Sequence, residues 1–440
     1  MSIPSPLSPL SIDPAPREFQ FEAVVVAPCL PPPYDALTMI ESNQIADLAA
    51  RHADDAVALR RWLHAHPETA YTEHETARYL TDRLREYGIT FRDGLAGGTG
   101  IIAEIPGAEG GPTVAIRTDI DALPIAEETG LPFASQNPGT MHACGHDVHM
   151  SCVLTAARIL HTVSPHLAGS VRVLFQPAEE KLPGGAPALI ADGALATPRP
   201  ASVIGQHINP ALPTGVVGFR TGQFMASVDD LYITVNGRGG HAAHPDRVTD
   251  PVLIAARIIS ALQSIPSRNA PPDIPTVLSI GKVTAAGATN VIPNTVELVG
   301  TFRTVDEAWR FEAHRRIREL CGGIAAAAGA SSEVRINVGF PSLFNEPALT
   351  SRLHDWAQEL LGQERIVEVP LTLGGEDFAY YAAELPGCFY NLGVSAPEEL
   401  KKKPGLHSST LMVDEKAIET GAALMAWLAV RELQYRAGES

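Results

Sequence analysis

Five stretches of this chain carry residues able to hold metal ions and move protons. They are Arg117-Thr-Asp-Ile-Asp-Ala-Leu-Pro, Met141-His-Ala-Cys-Gly-His-Asp-Val-His, Gln176-Pro-Ala-Glu-Glu, Gln206-His207 and Leu406-His407. Thiolate, imidazole and carboxylate are the ligands of zinc and its neighbours. Cys144 and His146 are two residues apart, so one tight loop can offer both to a single metal cluster. Glu179 and Glu180 are adjacent, and neighbouring side chains of extended backbone point opposite ways. One can bind metal while the other takes a proton from metal-activated water. Each stretch also has a plainer reading when taken singly. An isolated His207 or His407 is an ordinary core or surface histidine, Glu179-Glu180 a solvated pair, and Asp119 and Asp121 caps of the following segment. His142, His149, His161, His166 and His314 keep that plainer reading. Gly184-Gly185 follows Pro183 without a Lys-Ser/Thr companion, so it is a turn and not a phosphate loop.

What lifts the metal reading is where the elements place these stretches. Gly100–Ile105, Thr113–Ile116, Val171–Phe175 and Ser202–Gly205 read as buried strands. Ala56–His64, His74–Tyr87 and Met150–Val163 have helical apolar spacing. This alternation predicts an α/β fold with a mostly parallel sheet, in which ligands gather beyond the carboxyl ends of the strands. Near Phe224 the pattern changes. Asp230–Asn236, Thr276–Val283, Thr295–Arg303 and Glu333–Val338 read as strands, Pro251–Ile265 and Asp306–Ala328 as helices. That β-α-β-β-α-β order is ferredoxin-like. The α/β pattern resumes after about Pro341 and ends in a helix at Glu415–Glu432. The expected organisation is a catalytic domain, 39–223 and 341–440, interrupted by a small domain at 224–340. Residues 1–38 are proline-rich and read as a disordered extension.

Bulk properties narrow the function classes. With 440 residues the chain can bury a core in each of two domains. A formal net charge of −17 is the wrong sign for binding a phosphate backbone, so nucleic acid is not an expected partner. No apolar run approaches the length of a membrane span, and the N-terminus lacks the order of a signal peptide. The expected location is the cytoplasm. Five cysteines do not make a disulfide framework in a chain this long. Cys152, Cys321 and Cys388 lie in apolar surroundings and read as inert core thiols.

The ordered motifs resemble the aminoacylase and carboxypeptidase G superfamily, within it the branch of hippurate hydrolase, N-acyl-amino-acid amidohydrolases and auxin-conjugate hydrolases. The matching runs are Leu63-His-Ala-His-Pro-Glu, the 117, 141 and 175 segments, Gly239-Gly-His-Ala-Ala-His-Pro, Asn290-Val-Ile-Pro, Gly374-Gly-Glu-Asp-Phe and Leu406-His. The resemblance implies a dinuclear metallohydrolase that cleaves the amide bond of N-acyl amino acids. It implies two divalent ions, of the zinc, manganese, cobalt or nickel kind, held by Cys144, His146, Glu180, His207 and His407, with Cys144 bridging. Glu179 would be the general base and Asp121 would orient a ligand. Relatives often carry histidine at the position of Asp119, which is given no ligand role. The inserted domain would be a lid and a homodimer contact. His241 would polarise the scissile carbonyl, with a reach into a partner subunit's site as one arrangement. Asn290 and Arg303 would hold the free carboxylate of the substrate, and closure of the lid would bring them together with His241. An exopeptidase on the same scaffold, or a non-catalytic amino-acid-binding relative, is the alternative. Lys181-Leu-Pro after Glu180 and Ser408-Ser-Thr-Leu after His407 depart from the pattern of the relatives.

Overall fold

The computed structural model describes residues 40–402 and 405–439, so the proline-rich segment lies outside the described residues. The chain begins with α1 (Ser42–Ala65), α2 (His74–Glu86), β1 (Thr90–Leu95), β2 (Gly100–Ile105) and β3 (Thr113–Asp119). Next come α3 (His146–Thr162), β4 (Ser170–Gln176), β5 (Ser202–Pro213) and β6 (Val217–Phe219). After a long excursion the chain returns with α6 (Pro347–Leu361), β11 (Ile366–Glu368), β12 (Gly387–Ser395) and α7 (Lys416–Glu439). These strands form one eight-stranded sheet in the order β1-β2-β4-β3-β5-β12-β6-β11. The central pairs β4/β3, β3/β5 and β5/β12 are parallel, as is β6/β11, while β1/β2, β2/β4 and β12/β6 are antiparallel. The expected mostly parallel α/β sheet is therefore present.

Strand alternation builds both sides of the core. Ile101, Ala103, Val114, Ile116, Val171 and Val173 pack with residues of α1, α3 and α7. Ile102, Ala115, Leu174 and Val203 point the other way, onto Leu189, Phe378 and Tyr381. In α3 the predicted stripe Val153, Leu154, Ala157 and Leu160 is buried. Each leucine there contributes about 1.5–3 kcal/mol relative to exposure.

The excursion is made by β7 (Ser227–Asn236), α4 (Pro251–Leu262), β8 (Thr276–Ala285), β9 (Thr295–Thr304), α5 (Glu307–Ala327) and β10 (Ser331–Val338). They form a separate antiparallel sheet, ordered β8-β9-β7-β10, with both helices packed on the face made by Leu231, Ile233, Val235, Leu298 and Phe302. Asp250 and Asp306 start the two helices by accepting from their first-turn amides. His314 is structural: with Arg310 it holds the buried Asp229, at 2.7 Å from the Asp229 carboxylate.

Of the boundaries that differ from the sequence reading, three matter to the site. β3 runs on through Arg117 to Asp119, and β5 runs on through His207 to Pro213. The β3/β5 pairing ends at Arg117–Gly205; the polar residues beyond continue because β3 stays paired with β4 and β5 with β12. α3 starts at His146, four residues before the apolar periodicity begins. Among the described residues no helix is long and apolar enough to cross a membrane.

Candidate metal centre

Cys144, His146, His207, Glu180 and His407 converge at the carboxyl ends of β3 and β4. Two sets of three potential ligand atoms, each set within 4.8 Å, share one member: Cys144–His146–His207 and Cys144–Glu180–His407. The Cys144 Sγ lies 3.4 Å from His207 Nε2, and His407 Nε2 lies 3.2 Å from Glu180 Oε1. His207 stands two residues beyond the Arg117–Gly205 pair, level with the end of β3.

Local backbone geometry makes this convergence possible. Gly145 turns the chain into α3 with φ 82°, and a Cβ there would sit 2.2 Å from Ile208 Cδ1. Only glycine satisfies both conditions. Ala178, just before the glutamate pair, holds φ 56°. Its amide donates to the buried Glu73 carboxylate at 2.9 Å, which itself accepts from Thr99 Oγ1 at 2.8 Å. His407 also has a left-handed backbone, φ 60°, anchored by its amide on Ala143 O at 2.8 Å. Strain of this kind persists only where the surroundings over-determine it.

Ring contacts fix which nitrogens are free. His146 Nδ1 lies 2.8 Å from the Asp121 carbonyl, so it carries the hydrogen. The Nε2 of His146 is buried without a hydrogen-bond partner and faces the cluster. His207 Nδ1 donates to Ile208 O at 2.7 Å, which leaves Nε2 toward Cys144. An orphaned imidazole nitrogen beside a thiol and two carboxylates is the donor set of a divalent transition metal, and the residues fit such ions. Burial opposes protonation of His146, but Asp119, Asp121 and Glu180 outweigh it and raise its pKa to about 10. A cation would compete with that proton for the same nitrogen. Burial and the surrounding carboxylates push the Cys144 thiol well up.

Asp121 and Glu179 belong to neither Cys144 set. Asp121 accepts from the amides of Glu179 and Glu180, at 3.0 and 2.9 Å, and so fixes the segment carrying both. Glu179 is buried, and burial together with Glu376, Glu180 and Asp377 raises its pKa well above the usual carboxylate value. Both oxygens of Asp119 are hydrogen-bonded, and Oδ2 lies 3.8 Å from His146 Nε2. His149 Nδ1 occupies Oδ1 at 2.8 Å and Arg117 Nη1 occupies Oδ2 at 2.9 Å.

Several residues at the centre escaped the sequence reading. Arg117 is fully buried and reaches Asp119, Glu376 at 3.0 Å and Asp377 at 2.7 Å. Asp377 in turn accepts from Gln176 and from the Ala186 amide. Gly184 lies against it, where a Cβ would meet Asp377 Oδ2 at 2.3 Å. An arginine inside an apolar strand run was one available signal. The Gly374-Gly-Glu-Asp run was another, noted as a motif but given no role.

The remaining predicted residues lie elsewhere. His241 and Asn290 are exposed and adjacent: Gly240–His241 pairs with Val291–Ile292, and the Ala242 amide donates to Asn290 O at 3.0 Å. Arg303 is at the opposite end of β9, where its Nη1 donates to Leu373 O at 2.8 Å, next to the Gly374-Gly-Glu-Asp run. From Thr295 to Arg303 the strand advances eight residues, or about 27 Å at the usual rise per residue. The 240/291 ribbon lies at the Thr295 end of this strand, where the Gly239 amide donates to Asn294 Oδ1, and Arg303 lies at the other end.

Comparison with known proteins agrees with this geometry. The pattern of Peptidase family M20/M25/M40 matches residues 115–431. N-acetylcysteine deacetylase from Bacillus subtilis (strain 168) is 40% identical over 378 residues, 86% of this chain and 97% of the relative. Thermostable carboxypeptidase 1 from Saccharolobus solfataricus is 35% identical over 381 residues, 86% of this chain and 95% of the relative. A solved Bacillus subtilis structure, described as a dinuclear metal-binding peptidase of the M20 family, has a TM-score of 0.75 and 36% identity. It covers 88% of this chain and 99% of its own. The family match over residues 115–431 and these relatives make the chain a metal-dependent amidohydrolase of peptidase family M20/M25/M40.

Proposed function

We propose that this protein hydrolyses the amide bond of N-acyl amino acids. The observation that carries the reading is the pair of ligand triads meeting at Cys144, with Glu179 alongside but in neither. Cys144, His146 and His207 would hold one divalent cation, and Cys144, Glu180 and His407 the other. When bound, such ions lower the pKa of water and polarise a carbonyl oxygen. Glu179, set in place by Asp121, takes a proton from the attacking water and returns it to the leaving amine. His146 and Glu179 are buried, so charges beside them are weakly screened.

Arg303 suits the free carboxylate of the substrate because its planar fork matches a carboxylate. His241 and Asn290 serve the site of a second subunit in a homodimer, His241 polarising the scissile carbonyl and Asn290 contacting the carboxylate. Their distance from Arg303 within one chain supports this arrangement. In it the segment 224–340 is a ferredoxin-like lid and dimer contact, and 39–223 with 341–440 is the catalytic domain. A cytoplasmic location accords with the four free, buried cysteines.

The deacetylase relative supports acyl removal from an amino acid, while the carboxypeptidase relative keeps peptide substrates in view. The test is a panel of N-acetyl and N-benzoyl amino acids and dipeptides, offered to protein reconstituted with manganese, cobalt or zinc. Preferential release of free amino acid from the N-acyl series is expected. Preference for dipeptides would replace the reading with an exopeptidase, and inertness toward every substrate with every metal would end it.

A further inference from the structure

His149 lies three residues after His146, and its contacts leave it no capacity to bind metal. Its Nε2 accepts from the Ile208 amide at 2.8 Å, so Nδ1 bears the hydrogen that it donates to Asp119. Asp119 is held in turn by Arg117, whose other nitrogens are fixed by Gln176 and Asp377. The next peptide carbonyl, Ile208 O, accepts from His207 Nδ1. An unbroken chain therefore runs Arg117–Asp119–His149–Ile208–His207. All its side chains except that of half-buried His207 are fully enclosed.

Each link dictates the next. The charge on Arg117 keeps Asp119 an acceptor. Asp119 fixes the tautomer of His149, and only that tautomer can accept from Ile208. With residue 208 held at its amide, its carbonyl in the following peptide fixes the tautomer of His207 and aims the other nitrogen at Cys144. The other triad is held differently: the His407 ring contacts Glu180, whose amide donates to Asp121.

We propose that Arg117, Asp119 and His149 are positioning residues for one half of the dinuclear centre, setting the tautomer and aim of His207 and thereby the metal affinity of the Cys144–His146–His207 subsite alone. This rests on the ligand assignment above. Groups of this kind are worth about 10–100-fold in metal affinity.

The experiment is a titration of metal-free protein with zinc, read by calorimetry and by bound metal after dialysis, on wild type, His149→Gln and His149→Phe. Wild type should take up two ions per chain. The His149 variants should keep one tight ion and bind the second about 10–100-fold more weakly. In a double-mutant cycle, His149→Gln should add nothing to His207→Ala, because both disable the same subsite. It should add its full loss to His407→Ala. Two ions at wild-type affinity in either His149 variant would overturn the proposal, as would equal weakening of both ions. Loss of cooperative unfolding by the chelator-treated His149→Gln protein would overturn it too, by making His149 a folding residue. Wild type that binds no metal would instead end the ligand assignment itself.

Discussion

At the edge of the large sheet, Asp119, His146, Glu179 and Glu376 are buried and locked against one another, whereas His241 and Asn290 beside the small sheet stand in solvent. One region is organised before any substrate arrives. In the other, the groups read as catalytic touch nothing that a catalyst would need. Buried charges require partners within their own chain, because leaving one unpaired costs several kcal/mol. Exposed groups carry no such obligation and can wait for a partner molecule. The contrast teaches that a pre-organised cluster of ligand-type side chains and freely exposed polar groups can coexist in one folded chain.

The sharpest break between the regions is a pair of single substitutions. Glu179→Gln should cut turnover of an N-acyl amino acid by about 10²–10⁴-fold while leaving metal content unchanged, as read by elemental analysis. Unaltered turnover would remove Glu179 from the chemistry. His241→Ala should cost about 10²–10³-fold with metal content and melting temperature unaltered. Mixing the two inactive proteins should restore activity that neither has alone, since each supplies the group the other lacks. Absence of complementation after subunit exchange would argue for a site built within one chain.

Metal removal probes the same contrast through stability. A chelator should lower stability by about 3–4 kcal/mol per ion if each ion is present at several hundred times its dissociation constant. Hydrogen exchange should quicken around Cys144 and Ile208 and stay unchanged in β7, β9 and α5. Uniform loosening of both sheets would erase the distinction drawn here. The smallest effect belongs to Arg303→Lys, which should raise KM about tenfold by losing a forked contact of about 1.4 kcal/mol, with kcat held. A change in kcat alone would show that Arg303 acts elsewhere.

Much of this was readable in the sequence, and the reason differs between its parts. Strand alternation and the α3 stripe are local patterns, so the α/β sheet followed from them. Cys144, His146, Glu180, His207 and His407 were suspected because five stretches carry metal-binding residue types where a sheet would gather them, and the family resemblance made them one ligand set. The supporting shell was not legible. Arg117 meets Asp377 across 260 positions, and Glu73 meets Ala178 across 105. No periodicity encodes such pairings. His149 passed as ordinary because a histidine inside a helix announces nothing about which amide it faces.

The two triads also differ in the length of chain each one closes. Cys144 and His207 are 63 positions apart, while Glu180 and His407 are separated by 407 − 180 = 227. Closing the longer loop costs about 1 kcal/mol more in chain entropy. With the ligand sets proposed above, a cation on the His407 side would be the longer staple, and it would tie the approach to α7 to the first half of the fold more strongly than its twin ties its own loop.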